Sequence, residues 1–161
     1  MVAPSLYKDK NELIAKRFQE IVDSLAHTLN AKSALITQLT DKALLIKSAS
    51  TNPENDRKAG DSFPLNANLF CLKVTKTQSP LLIFDHQRHT DDTDDTDTKA
   101  PKLDYYGFPL FYPDGELYGT VCAMEARPEQ TLSEIHNIFK SFIAIIERDF
   151  EYFSTQRNGD S

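Results

Sequence analysis

The sequence predicts an α+β sandwich, in which a central sheet carries the N- and C-terminal helices on one face and loops with a short helix on the other. Three observations predict it. Apolar residues recur at helical spacing near both ends, at Ile14, Phe18, Ile21, Val22, Leu25 and Leu29 and again from Ile135 to Phe153. Short β-type runs separated by turn residues lie between them. The stretch "YYGFPLFYPDGELYGTVCAMEA", residues 105–126, reads as a hairpin that is apolar on both alternating sets of positions, whereas a sheet with one wet face alternates cleanly with polar residues. Both faces are therefore expected to be covered.

The first helix is placed at Asn11 to Leu29. "SALITQLTD" and "KALLIKSAS" follow as two strands, with a hairpin turn at Thr40, Asp41 and Lys42. "TNPENDRKAGDSFPLN" is dense in turn formers and reads as loop. Ala67 to Thr77 is expected to make a short helix with Leu69 or Phe70, Cys71 and Val74 inward. "SPLLIFD", opened by Pro80, reads as a strand placed centrally or near an edge. "HQRHTDDTDDTDTKAPK" has too little apolar surface to offset ordering entropy, so a mobile loop is expected.

In the hairpin, Tyr112, Pro113, Asp114 and Gly115 suit a type I turn, with Gly accepting a positive φ at the last position. That register puts Tyr106 opposite Cys122 and Phe108 opposite Thr120, unless a bulge near Pro109 exchanges the faces. "TLSE", Thr131 to Glu134, matches a capping box that starts a helix running to about Phe153. Its apolar face is wider than one sheet contact needs, so part of it is expected to meet another helix. Residues 11–153 form one expected domain, with tails at 1–10 and 154–161.

The net charge is −6, but five acids fall within "DDTDDTD", residues 91–97, which leaves the rest at −1. There is no basic stripe to follow a phosphate backbone, so nucleic acid is not an expected partner. No apolar run approaches the roughly 20 residues needed to cross a bilayer, and no signal peptide opens the chain, so a soluble cytoplasmic protein with no membrane partner is expected. Two cysteines, Cys71 and Cys122, are too few for a disulfide framework and read as reduced thiols in apolar surroundings.

The stretch "YYGFPLFYPDGELYGTVCAME", with a small residue, Pro-Leu, a turn carrying Asp-Gly, then Gly-Thr and an apolar tail, resembles the GAF domains, small-molecule sensing modules of signalling proteins. "NLFCLKVTKTQSPLLIFD" is similar to that family's short helix, Pro-Leu pair and strand ending in Asp85, and the likeness covers about residues 12–152. The resemblance implies a PAS-like sandwich with a central antiparallel sheet of five to six strands and paired terminal helices, a homodimer through residues 11–29 and 131–153, and a ligand under the middle loops. By matching positions it implies Phe70, Cys71, Tyr105 or Tyr106, Thr120 and Cys122 as ligand-binding residues. It further implies a sensory role within, or beside, a bacterial-type histidine kinase or diguanylate cyclase. No such output segment is found in the chain, whose last helix is followed only by "STQRNGDS", so an excised input domain or a small stand-alone protein is expected.

Departures from the family narrow its chemistry. The Asn-Lys…Phe…Asp-Glu signature of cyclic-nucleotide binders is absent, and Cys71 is followed by Leu72 and Lys73 rather than by the His of bilin-attaching members. Some members reduce free methionine-R-sulfoxide with two thiols, which Cys71 and Cys122 can supply in number. The segments that accompany those thiols are replaced here by "TKAPKLDYYG", so no enzyme activity is the expectation, with that reductase and a ligand-free dimerisation scaffold as alternatives. His86 and His89 form HxxH beside the aspartates, yet the loop lacks the Gly and Glu of a calcium-binding loop, and no metal is expected. His27 and His136 are given no role. No motif identifies the ligand or a cofactor.

Overall fold

The computed structural model describes residues 3–84 and 104–159, and the side chains of residues 12–84 and 104–152. The segment "HQRHTDDTDDTDTKAPK", with His86, His89 and the aspartates of 91–97, lies outside the described residues.

Helix α1 spans Ala3–Thr28, strands β1 Ala31–Leu39 and β2 Ala43–Ala49, and a short β3 Ser62–Pro64. Helix α2 covers Phe70–Thr77, followed by β4 Leu81–Ile83, β5 Asp104–Phe111, β6 Leu117–Ala126 and helix α3 Leu132–Gly159. The strands form one six-stranded sheet in the order β3-β2-β1-β6-β5-β4, antiparallel at every junction.

Local chemistry explains most boundaries. Thr40 closes the first hairpin, its Oγ1 accepting from the N–H groups of Lys42 and Ala43. In the second, the Gly115 N–H donates to the Tyr112 carbonyl at 2.9 Å and Gly115 takes φ +93°, as the turn requires. The capping box at the start of α3 is reciprocal: Thr131 N–H donates to Glu134 Oε1 at 2.9 Å and Glu134 N–H to Thr131 Oγ1 at 3.2 Å.

The long helices run past the expected limits. α1 begins at Ala3 rather than Asn11, because Pro4 in a first turn costs no hydrogen bond. α3 continues to Gly159 rather than Phe153, since no helix breaker precedes that glycine. β3 interrupts the stretch read as loop, and "SPLLIFD" gives only three strand residues, on the sheet edge beside β5.

α1 and α3 cover one sheet face. Phe18, Val22, Leu25 and Leu29 meet Ala34 and Ile36 of β1, Tyr106, Phe108 and Leu110 of β5, and Ile135, Phe139 and Ile146 of α3. Phe108 and Phe139 stack at 4.5 Å between centroids. Across the helix pair, Arg17 donates to Asp149 Oδ2 at 2.7 Å.

The register of the second hairpin departs from the expected one. At the turn Phe111 pairs with Leu117, but Leu110 pairs with Gly119, so Tyr118 is an extra residue in β6. Tyr106 then faces Ala123 and Phe108 faces Val121, instead of Cys122 and Thr120. Two helix-side anchors accompany the bulge. The Phe111 N–H donates to Glu147 Oε2 of α3 at 3.0 Å, and Tyr118 packs edge-on against Phe18 and Tyr112. As a result Thr120 and Cys122 share the other sheet face with Tyr105 and Gly107.

No helix among the described residues is long and apolar enough to cross a membrane.

Candidate functional site

On the face turned away from α1 and α3, α2 and the loop before it stand off the sheet and leave a cavity of about 690 Å³. Its floor is Leu35 and Thr37 of β1, Leu44 and Ile46 of β2, Tyr105 of β5 and Met124 of β6. The roof is Leu69, Phe70, Cys71 and Lys73 of the α2 region, with Arg57 and Phe63 at the side. Its walls are thus mainly apolar, with a few hydroxyl, amide and charged groups.

α2 sets the position of Cys71. Leu69 enters the helix with extended backbone, and the buried stripe Cys71, Leu72, Val74 and Thr75 turns toward the sheet. Cys71 Sγ thereby comes within 3.5 Å of Cys122 Sγ and 3.4 Å of the Tyr105 hydroxyl. Phe70 lies against the Tyr105 ring at 4.9 Å, and the Lys73 ammonium sits 5.7 Å from the centre of the Phe70 ring. Beneath them Thr37 and Thr120, paired across β1 and β6, join their hydroxyls at 2.7 Å.

Electrostatics separate the two thiols. Cys71 is lowered to about 7, foremost by the hydrogen bond from Cys122, then by those of Tyr105 and Thr120 and by the charge of Arg57, against the cost of burial. Its place in the first turn of α2, at the positive end of the helix dipole, favours the thiolate further. Cys122 is raised, by donating to Cys71, by burial and by the negative charge on Cys71. Burial and the two sulfurs raise Tyr105 as well, so it remains a hydroxyl donor.

The structure brings five of the six sequence-derived candidates together: Phe70, Cys71 and Tyr105 on the cavity wall, and Thr120 and Cys122 directly behind it. Tyr106 goes elsewhere. The period of two along β5 points it at the helices, where it packs on Phe84 and Phe139 and donates to the Asp104 carboxylate. Arg57, Lys73 and the side chains of β1 and β2 were missed as lining. Alternation from Leu35 to Thr37 was a usable signal for β1, but nothing local points Arg57 inward from a stretch read as loop. Among the described residues no group of three or more His, Cys, Asp or Glu is arranged to hold a metal ion.

The solved structures share this architecture. A phycoerythrobilin-bound GAF domain from a cyanobacterial phytochrome superposes with a TM-score of 0.67 at 10% identity, covering 89% of both chains. Type II free methionine-R-sulfoxide reductase from Thermoplasma acidophilum gives 0.64 at 12% identity, over 89% of this chain and 96% of that one. The GAF-B domain of DevS from Mycobacterium smegmatis gives 0.62 at 16%, over 90% and 98%. At these identities the likeness shows the fold alone. No curated protein sequence matches. The family model for the GAF domain matches residues 14–145, which takes in the later part of α1, the whole sheet, α2 and half of α3, and the chain accordingly belongs to the GAF domain family.

Proposed function

We propose that this chain is a sensory GAF domain that binds a small molecule between α2 and the sheet and passes the response to α1 and α3. The observation that carries this reading is the cavity of about 690 Å³. That volume falls within the roughly 300–1,000 Å³ of small-molecule sites, and its apolar walls with few polar groups match their make-up. A ligand there touches both α2 and the strands whose opposite face supports the long helices. It signals only if it binds one helix arrangement more tightly than another.

Thermal denaturation of the full chain with a metabolite library tests the reading. A binder is expected to raise the midpoint, and Leu69→Trp, which fills the cavity from its half-buried roof, should abolish the shift while preserving the fold. A midpoint that no compound moves, or one raised equally in Leu69→Trp, would count against it.

The response is proposed to reach a second copy through the long helices. Ile138, Phe142, Ile145 and Tyr152 follow one another along α3 at four, three and seven residues, and the last two are exposed at 39% and 55%. The fused or partnered output, a histidine kinase or a diguanylate cyclase, belongs to the same proposal.

The thiol pair favours a second reading, reduction of free methionine-R-sulfoxide, the activity for which the Thermoplasma relative is named. Incubation with that sulfoxide and a dithiol donor decides it. Turnover lost in Cys71→Ser supports the enzyme, and no turnover excludes it.

A further inference from the structure

We propose that Cys71 is a modification site for hydroperoxides and that Cys122 resolves it, closing a reversible disulfide between α2 and β6. The inference rests on the two thiols and holds whichever molecule fills the cavity.

Geometry comes first. The sulfurs lie 3.5 Å apart. A disulfide needs about 2.05 Å, so closure asks for a movement of about 1.5 Å. Side-chain rotation and a small approach of α2, a helix of eight residues, can supply it.

Access comes second, and it differs between the two sulfurs. Cys71 opens on the cavity, whereas Cys122 is fully enclosed behind it. An oxidant entering the cavity meets Cys71 first.

The surroundings then assign the roles. Cys122 of β6, Tyr105 of β5 and Arg57 of the preceding loop face Cys71, and each favours its thiolate. Cys122 is held as a thiol. Tyr105 and Arg57 act on both sulfurs, so the hydrogen bond from Cys122 and the opening on the cavity are what single out Cys71.

The chemistry balances in two steps. The Cys71 thiolate attacks one oxygen of the hydroperoxide and breaks the O–O bond, giving the Cys71 sulfenic acid and, with a proton from solvent, an alcohol or water. The Cys122 sulfur then attacks the Cys71 sulfur, and its proton leaves with the hydroxide as water. The dithiol has lost two electrons and the peroxide has gained them. A small dithiol reductant restores both thiols by exchange. Oxidation draws Cys71 toward the sheet and moves the roof residues Phe70 and Lys73, so the redox state resets the shape of the cavity.

The reduced chain treated with one equivalent of hydrogen peroxide tests this by intact mass and non-reducing peptide mapping. A loss of two hydrogens and a Cys71–Cys122 linked peptide are expected, at a rate about tenfold or more above that of the same chain unfolded in urea. Cys122→Ala should stop at a sulfenic acid on Cys71 that dimedone captures, and Cys71→Ser should do neither. Equal rates folded and unfolded, links between chains only, or first capture at Cys122 would overturn the proposal. So would a disulfide formed by free methionine-R-sulfoxide but not by peroxide, which would return the pair to the reductase reading. If Cys122→Ala fails to fold, the wild-type rate comparison and the peptide map still decide.

Discussion

Gly107 sets where Tyr105 can lie. A Cβ there would collide with the Tyr105 hydroxyl and the ring carbon that bears it, so the bare backbone gives the phenol room beside the two sulfurs. Gly107→Ala is therefore expected to push the hydroxyl off Cys71 and to raise the pH at which Cys71 reacts. With its hydrogen bonds in place Cys71 is lowered to about 7. Because an acid with a lowered pKa is ionised above it, alkylation of Cys71 by iodoacetamide should be fast above about pH 7 and fall as the pH drops through 7. An unperturbed thiol would show the same fall near 8.5. A profile centred there in the wild type, or one unmoved by Gly107→Ala, would refute the assigned hydrogen bonds. The resemblance placed both thiols at one ligand site, but their direct contact was not legible beforehand. They are 51 positions apart, and their meeting depends on where α2 lands over β6.

At the scale of elements, the ion pair between Arg17 and Asp149 holds α1 to α3. Its partners are unequal, with side chains 42% and 9% exposed. Arg17→Met leaves a carboxylate without its donor in a mostly dry setting and should cost about 1–3 kcal/mol. Asp149→Asn leaves a guanidinium that water can reach and should cost under about 1 kcal/mol. Urea denaturation of both variants checks the order, and equal losses would contradict the burial assigned to Asp149. The helices themselves were readable from their apolar stripes, and α3 from the box at Thr131. Their ends were not, because helical backbone continues wherever no residue forbids it. β3 was unreadable for another reason: three residues carry no periodicity, and only Phe63 among them is half-buried. The hairpin turn was read correctly, but the bulge at Tyr118 was not. One inserted residue moved Thr120 and Cys122 to the cavity side and Val121 and Ala123 to the helices. The contacts that accompany it, Glu147 reaching the Phe111 N–H and Tyr118 packing on Phe150, come from residues distant in sequence.

Across the whole molecule the sheet is asymmetric in what covers it. Among the described residues two long helices pack continuously on one face, while one short helix and irregular chain cover the other incompletely. That asymmetry was legible in the order of elements, since a long middle section was left to roof a hairpin apolar on both sides. The roof's apolar members on α2 were legible too, but the charged lining was not, because Arg57 and Lys73 carry no inward signal of their own. Pairing of two copies through α3 is expected to fail in Ile145→Glu, which places a charge on an exposed position and spares the core. Light scattering should give the mass of two chains for the wild type and of one for the variant. A single-chain mass for both at high micromolar concentration would remove the dimer from the proposal.

Native mass spectrometry of the freshly purified full chain tests most directly whether the space beneath α2 is a receptor site. A co-purifying small molecule should appear as added mass on the wild type and be absent from Leu69→Trp. The bare chain mass in both proteins under the gentlest conditions, or the same added mass in both, would contradict it.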